Sequence, residues 1–178
     1  MAGLKLWSAT VTSALLGWVG AALAAAPASS PASDLAAFHG KWVCSGNQTD
    51  SVFGSGHALV TDASGRSDLD GKWTIVRFDE RRTKVNDHPT KGLYEFGYDD
   101  AAKQLQVYWI DSLGGFGRQT SAGWQNDTLV LFGDYTTGGQ KLAARDTFQK
   151  KAGRSFVHRA ELQKGDGTWV LVLEETCK

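Results

Sequence analysis

The chain has 178 residues with 19 basic and 19 acidic side chains, so it carries no formal net charge. That balance excludes the electrostatic capture of nucleic acid or of an anionic membrane surface. With two cysteines, Cys44 and Cys177, far apart in sequence, and no paired His motif among His39, His57, His88 and His158, no metal site is expected.

The N-terminus reads as an export signal. Lys5 supplies a positive start, Leu6 to Leu23 is uncharged and mostly apolar, and Ala22-Leu23-Ala24 offers the small-x-small pattern of a cleavage site. Ser8, Thr10, Thr12 and Ser13 dilute the apolar stretch and no positive charges follow it, which separates it from a membrane anchor. Residues 1–24 are therefore expected to be a signal peptide, cut after Ala24 or Ala25 so that Pro27 is clear of the new N-terminus. No Cys lies nearby to carry a lipid. Residues 25–33 are Ala, Ser and Pro, a disordered tether that buries too little apolar surface to be ordered. Residues 34–178 suit a single folded domain. The expected location is the periplasm or the medium, with no membrane span left after cleavage.

Ser33 or Asp34 caps a short helical turn over Leu35 and Phe38, placed to plug one end of a barrel. Beyond it apolar and polar residues alternate in short runs divided by Gly, Asn and Asp clusters. The runs predict strands at 40–46, 56–62, 71–78, 92–98, 103–110, 117–124, 127–134, 141–150, 154–163 and 167–177. Asp99-Asp100, Asn126-Asp127, Gly138-Gly139 and Gly165-Asp166-Gly167 supply turn chemistry between them, so sequential hairpins are implied. The charged stretch Phe78 to Lys91, holding Pro89, reads as a mobile loop of the kind that covers a ligand entrance. The fold class is all-β: a single antiparallel up-and-down barrel of about ten strands. An outer-membrane barrel is disfavoured because the strands carry no consistent lipid-facing apolar band.

Residues two apart share a face of a strand. Gly40, Trp42 and Cys44 share one on the first strand; Trp169, Leu171, Leu173, Glu175 and Cys177 share one on the last. First and last strands are neighbours in an up-and-down barrel, which favours a Cys44–Cys177 disulfide over buried thiols or an intermolecular bridge. The same parity groups Trp73 and Ile75 with Arg77, Leu105 and Val107 with Trp109, and Arg118 with Trp124.

Asp146, His158 and Glu175 fall in step with apolar residues on the last three strands, so sequential pairing would turn all three toward one lumen. A His flanked by carboxylates among aromatics is a candidate general acid/base site; the competing reading is buried polarity satisfied by Arg77, Arg118 or backbone groups. Candidate ligand contacts are Arg77 and Arg118 as anchors, Trp109 and Trp124 near the Gly-rich segment Leu113 to Gly117, and His158. That segment lacks the Lys-Ser/Thr ending of a phosphate-binding loop. Cys-x-x-Cys-His haem attachment is absent, which leaves noncovalent haem on His57 or His158 as an alternative. No cofactor is expected.

Gly40-Lys41-Trp42 after a helical turn resembles the Gly-x-Trp start of lipocalin-like barrels. Together with Gly71-Lys72-Trp73, Gly92-Leu93-Tyr94-Glu95, the run Leu105 to Ser112, Gly123-Trp124 and Asp166-Gly167-Thr168-Trp169, it resembles exported bacterial domains of unknown function with calycin-like barrels, from about Leu35 to Cys177. The resemblance implies a lipocalin-type barrel, a class that commonly holds small apolar molecules, and carries over no catalytic residue. It also implies a late basic residue over the first-strand Trp, for which Arg154 and Arg159 are candidates. Similar haem-binding barrels keep a His near the C-terminal end, and the segment after Trp169 has none. The function expected is the binding of a small apolar or amphipathic ligand in the lumen. The alternatives are an enzyme using His158 with Asp146 or Glu175, and a solid-core structural or interaction barrel.

Overall fold

A computed structural model describes residues 34–178; the expected signal peptide and tether lie outside the described residues. A 3-10 turn at Leu35–Phe38 precedes ten strands: β1 Gly40–Gln48, β2 His57–Asp68, β3 Trp73–Glu80, β4 Lys91–Asp99, β5 Gln104–Asp111, β6 Phe116–Ser121, β7 Thr128–Thr137, β8 Gln140–Lys151, β9 Ser155–Gln163 and β10 Trp169–Cys177. Each strand pairs antiparallel with the next, and β10 pairs with β1 to close the barrel. All ten expected strands are present.

Two boundaries moved for identifiable reasons. β2 runs on through Ser64, Gly65 and Arg66, beyond its expected end at residue 62, and Gly65 lets the N-terminal turn lie against the strand: a Cβ there would come within 2.1 Å of the Phe38 carbonyl oxygen. β6 stops at Ser121 rather than running to Trp124. Gly123 takes a positive φ of 93° and carries Trp124 out of the strand's alternation.

Closure places Cys44 opposite Cys177 in the β1–β10 register, and the two sulfurs are bonded across a sequence separation of 133. Val43 and Lys178 exchange backbone hydrogen bonds just beyond the disulfide. β10 departs from strict alternation. A bulge between Leu171 and Leu173 turns Val172 inward as well, while the Leu171 and Val172 carbonyls accept from the side-chain hydroxyl and backbone N–H of Thr49. The expected common face from Trp169 to Cys177 therefore breaks in the middle: Trp169 lies outside, against Phe132 and beneath the Arg145 guanidinium.

One end of the barrel is solid. The Phe38 ring sits 5.2 Å from Phe96, 5.0 Å from Phe148 and 5.7 Å from both Phe156 and Trp124. Leu105, Val107, Leu129 and Leu131 fill the space around them with no solvent exposure. The Trp42 indole donates to the Phe38 carbonyl at 3.1 Å, and Arg154 lies 4.3 Å over the Trp42 ring while donating to the His39 carbonyl. Arg154 is thus the basic residue over the first-strand Trp; Arg159 instead pairs with Glu174 on the outside. A plug of this kind contributes mainly by removing apolar area from water, about 1.5–3 kcal/mol for a side chain the size of Phe38.

The disulfide closes a loop spanning nearly the whole domain, so its removal should act chiefly on the unfolded chain. The double variant Cys44→Ala/Cys177→Ala is expected to keep its far-UV circular dichroism but to lose about 3–5 kcal/mol in urea titration, unfolding at a lower midpoint.

Candidate functional site

The opposite end of the barrel is open. Its mouth is built from the loops β1–β2, β3–β4, β5–β6, β7–β8 and β9–β10, and a cavity of about 120 Å³ leads down from it between the strands. Phe53, Leu59, Phe78, Trp109, Leu162 and Val172 supply most of the apolar wall. Trp109 is seated there by a missing side chain on the neighbouring strand: a Cβ at Gly92 would fall 1.8 Å from the indole ring. The indole N–H and the Tyr135 hydroxyl both donate to Asp111 at 2.9 Å, and Trp109 packs on Tyr94 with centroids 4.4 Å apart.

A buried polar cluster forms the floor. Asp146 on β8, His158 on β9 and Glu175 on β10 face inward from three consecutive strands. His158 Nε2 lies 3.2 Å from Asp146 Oδ1, and Nδ1 lies 3.2 Å from Glu175 Oε1. Phe148 stacks flat on the imidazole at 4.4 Å. Burial alone would lower the His158 pKa, but the hydrogen bonds and negative charges of Asp146 and Glu175 outweigh it and raise the value to about 9. At neutral pH the ring is an imidazolium that donates from both nitrogens.

Asp146 has two further partners that sequence reasoning did not single out. The Tyr94 hydroxyl donates to Oδ1 at 3.0 Å, and the Gln119 amide N–H donates to Oδ2. Burial, followed by the charge of Asp146 and its hydrogen bond, holds the Tyr94 hydroxyl far above its ordinary pKa, so it remains a donor. Tyr94 was within reach of the sequence, since it alternates with Gly92 and Phe96. Gln119 was not. It lies in the run Arg118-Gln119-Thr120-Ser121, polar on both faces, where no apolar residue says which parity points inward.

The structure therefore brings together Asp146, His158 and Glu175 and puts Trp109 in the cavity wall. The other proposed ligand contacts lie elsewhere. Arg77 is exposed and pairs with Asp79 on the outer face, because the inward set on β3 is Thr74, Val76 and Phe78. Arg118 is outside as well, bonded to Gln106 and lying over Tyr108, while Gly117, Gln119 and Ser121 point in. Trp124 sits at the closed end against Phe38, beneath Lys150, and not beside the Gly-rich loop.

Neither histidine proposed as a haem ligand has a ring nitrogen free of hydrogen bonds. Both nitrogens of His158 are clamped, and His57 bonds the Ser55 carbonyl through Nδ1 and Glu80 through Nε2. Burial lowers the His57 pKa, yet these two partners raise it overall. The same Glu80 accepts from the Asn86 amide and the Thr90 backbone of the β3–β4 loop. Cys44, Cys177 and Glu175 bring candidate ligand atoms within 4.8 Å, but sulfurs joined in a disulfide offer no thiolate to a metal. No helix among the described residues is long and apolar enough to cross a membrane.

The chain matches a family described as "Protein of unknown function (DUF1579)" over residues 29–178. It belongs to the DUF1579 family. No curated protein matches it. For this DUF1579 barrel, chemistry must accordingly be read from the site.

The His158 clamp has a measurable consequence. The folded chain keeps the proton to about pH 9, whereas an unfolded histidine releases it near 6.5. The folded state thus binds more protons between these values, and the associated stability is complete below about pH 6.5 and lost as the pH rises toward 9. Stability is expected to fall by roughly 2–4 kcal/mol across that window in urea titrations at fixed ionic strength. The His158 imidazole should titrate near pH 9 by NMR.

Proposed function

We propose that this barrel is a binding module, exported from the cytoplasm, that holds a small ligand with an apolar body in the open half of its lumen. The observation that carries this reading is the cavity itself: about 120 Å³ of space with mainly apolar walls, open at one end, above a buried ionic floor. Pockets that combine an apolar lining with a few convergent polar groups are the usual form of small-molecule sites. The space accommodates a fragment on the order of a benzene ring, with any longer part of the ligand extending through the mouth. A large hydrophobic cargo is a poor fit, since the Phe38 plug occupies the other half.

The enzyme reading gains less support. With both nitrogens donating to carboxylates, the imidazole of His158 has no lone pair to take a proton from a substrate.

Export is supported by the disulfide between Cys44 and Cys177, which persists in oxidising compartments. Intact-mass analysis of chain recovered from the periplasm or medium is expected to show a new N-terminus at Ala25 or Ala26; a full-length chain beginning at Met1 would refute cleavage.

Filling the lumen should abolish binding without unfolding the barrel. Ala144 is buried in the cavity wall, and Ala144→Phe is expected to cost about 1–3 kcal/mol through overpacking. With benzyl alcohol as ligand, saturable binding followed by ligand-observed NMR and by tryptophan emission should appear in the wild type and vanish in the variant.

A further inference from the structure

The lumen is strongly one-sided in its ionisable groups. Five acidic residues, Glu80, Asp134, Asp146, Glu161 and Glu175, are among those lining the cavity, and no Lys or Arg among the described residues is; Asp134 and Glu161 turn their carboxylates to the outer face of the barrel, which leaves Glu80, Asp146 and Glu175 to face the lumen. Asp134 and Glu161 have cations of their own on that face, Lys141 at 3.1 Å and Arg145 at 2.8 Å, and Glu80 bonds the His57 ring at 2.8 Å. The remaining two, Asp146 and Glu175, share the single imidazolium of His158. The floor of the cavity thus holds two carboxyl groups for one imidazole.

Two buried acceptor atoms on this floor also have no partner. Glu175 is 3% exposed; its Oε1 takes the His158 bond, and its Oε2 bonds nothing. Gln119 is 4% exposed; its amide nitrogen must face the Asp146 carboxylate, which can only accept, and this orients Oε1 away, where it too is unpartnered. Both residues line the cavity. A buried acceptor left unpaired is destabilising, more so when charged, and a donor that arrives there removes the penalty. Above the floor, Tyr94 and Trp109 present aromatic surface, which attracts cations and not anions.

We propose that the lumen selects an organic cation: a small primary or secondary ammonium whose N–H groups donate to Glu175 Oε2 and Gln119 Oε1, with its apolar body between the aromatic walls. This rests on the lumen being a binding site and adds the sign and hydrogen-bonding sense of the ligand's head. It reverses the polarity that Arg77 and Arg118 would have imposed as anchors. An acid-headed ligand would place a further negative charge beside two carboxyl groups that share one imidazole, in a low-dielectric site.

The test is a shape-matched series on the wild-type protein: benzylammonium, benzyl alcohol and benzoate, compared at pH 7 by calorimetry and ligand-observed NMR. Benzylammonium is expected to bind at least tenfold more tightly than benzyl alcohol, and benzoate not measurably. In Glu175→Gln, Oε1 can still accept from His158 while an amide N–H₂ turns toward the cavity. Benzylammonium should then lose at least tenfold in affinity, with benzyl alcohol within about threefold of wild type. Equal or tighter binding of alcohol or benzoate by the wild type, abolished by Ala144→Phe, would overturn the cation selectivity and leave the lumen as a binding site. Failure of all three ligands to bind would overturn both. The wild-type series decides the matter even where Glu175→Gln fails to fold.

Discussion

Closure of β10 onto β1 is the constraint on which everything else in this molecule depends. An open ten-stranded sheet would leave two edges of unpaired N–H and C=O groups, and it would have no inside. Once the edges meet, one face of each strand is committed to a single enclosed volume, and the covalent bond between Cys44 and Cys177 holds the seam near the C-terminal end of β10. Within that enclosure β8, β9 and β10 form an arc in which Glu175 lies directly opposite His158 and Asp146 lies two residues along β8 from Phe148, the register partner of His158. The ionic floor is thus a product of the topology: none of the three is near another in sequence, and each strand contributes one member.

The lumen is divided between two solutions to the problem of a barrel interior. At the closed end large rings interlock around Phe38, and the stabilisation is apolar. Nearer the mouth the molecule buries two carboxyl groups and an imidazole. Desolvating charges is costly, and a buried ion pair often stabilises less than apolar residues of the same volume. The imidazolium between two carboxylates, with Tyr94 and Gln119 donating to one of them, limits that cost without cancelling it, because Glu175 Oε2 and Gln119 Oε1 stay unpaired. A packing function alone would have been served better by leucine. The proposed binding site is the region where buried ionisable groups, unpaired acceptors and open volume coincide.

How much of this was legible in the sequence depended on whether a strand had an apolar face to give its parity a sign. On β5, Leu105 and Val107 are apolar and their neighbours are not, so Trp109 could be placed inside by counting. On β3, Trp73, Ile75 and Arg77 form one plausible face and Thr74, Val76 and Phe78 another; the structure buries the second, and Arg77 goes to solvent. On β6 neither face is apolar, and the inward residue is Gln119 where Arg118 had been favoured. The β10 bulge at Val172 defeated two-residue counting for Trp169 but not for Glu175 and Cys177, which lie beyond it on the same side of the irregularity.

By itself, the sequence determined the all-β class, the strand number, the hairpin order and the pairing of its two cysteines, since each follows from local alternation, turn chemistry and the adjacency of first and last strands. The grouping of Asp146, His158 and Glu175 was also within its reach, because their strands are consecutive and each has an apolar partner face. Only the tertiary structure decided the sign of the lumen. Which residues face inward on an evenly polar or evenly apolar strand, how far a bulge shifts the count, and whether a glycine makes room for a ring are settled by packing across the barrel, and no strand carries that information alone.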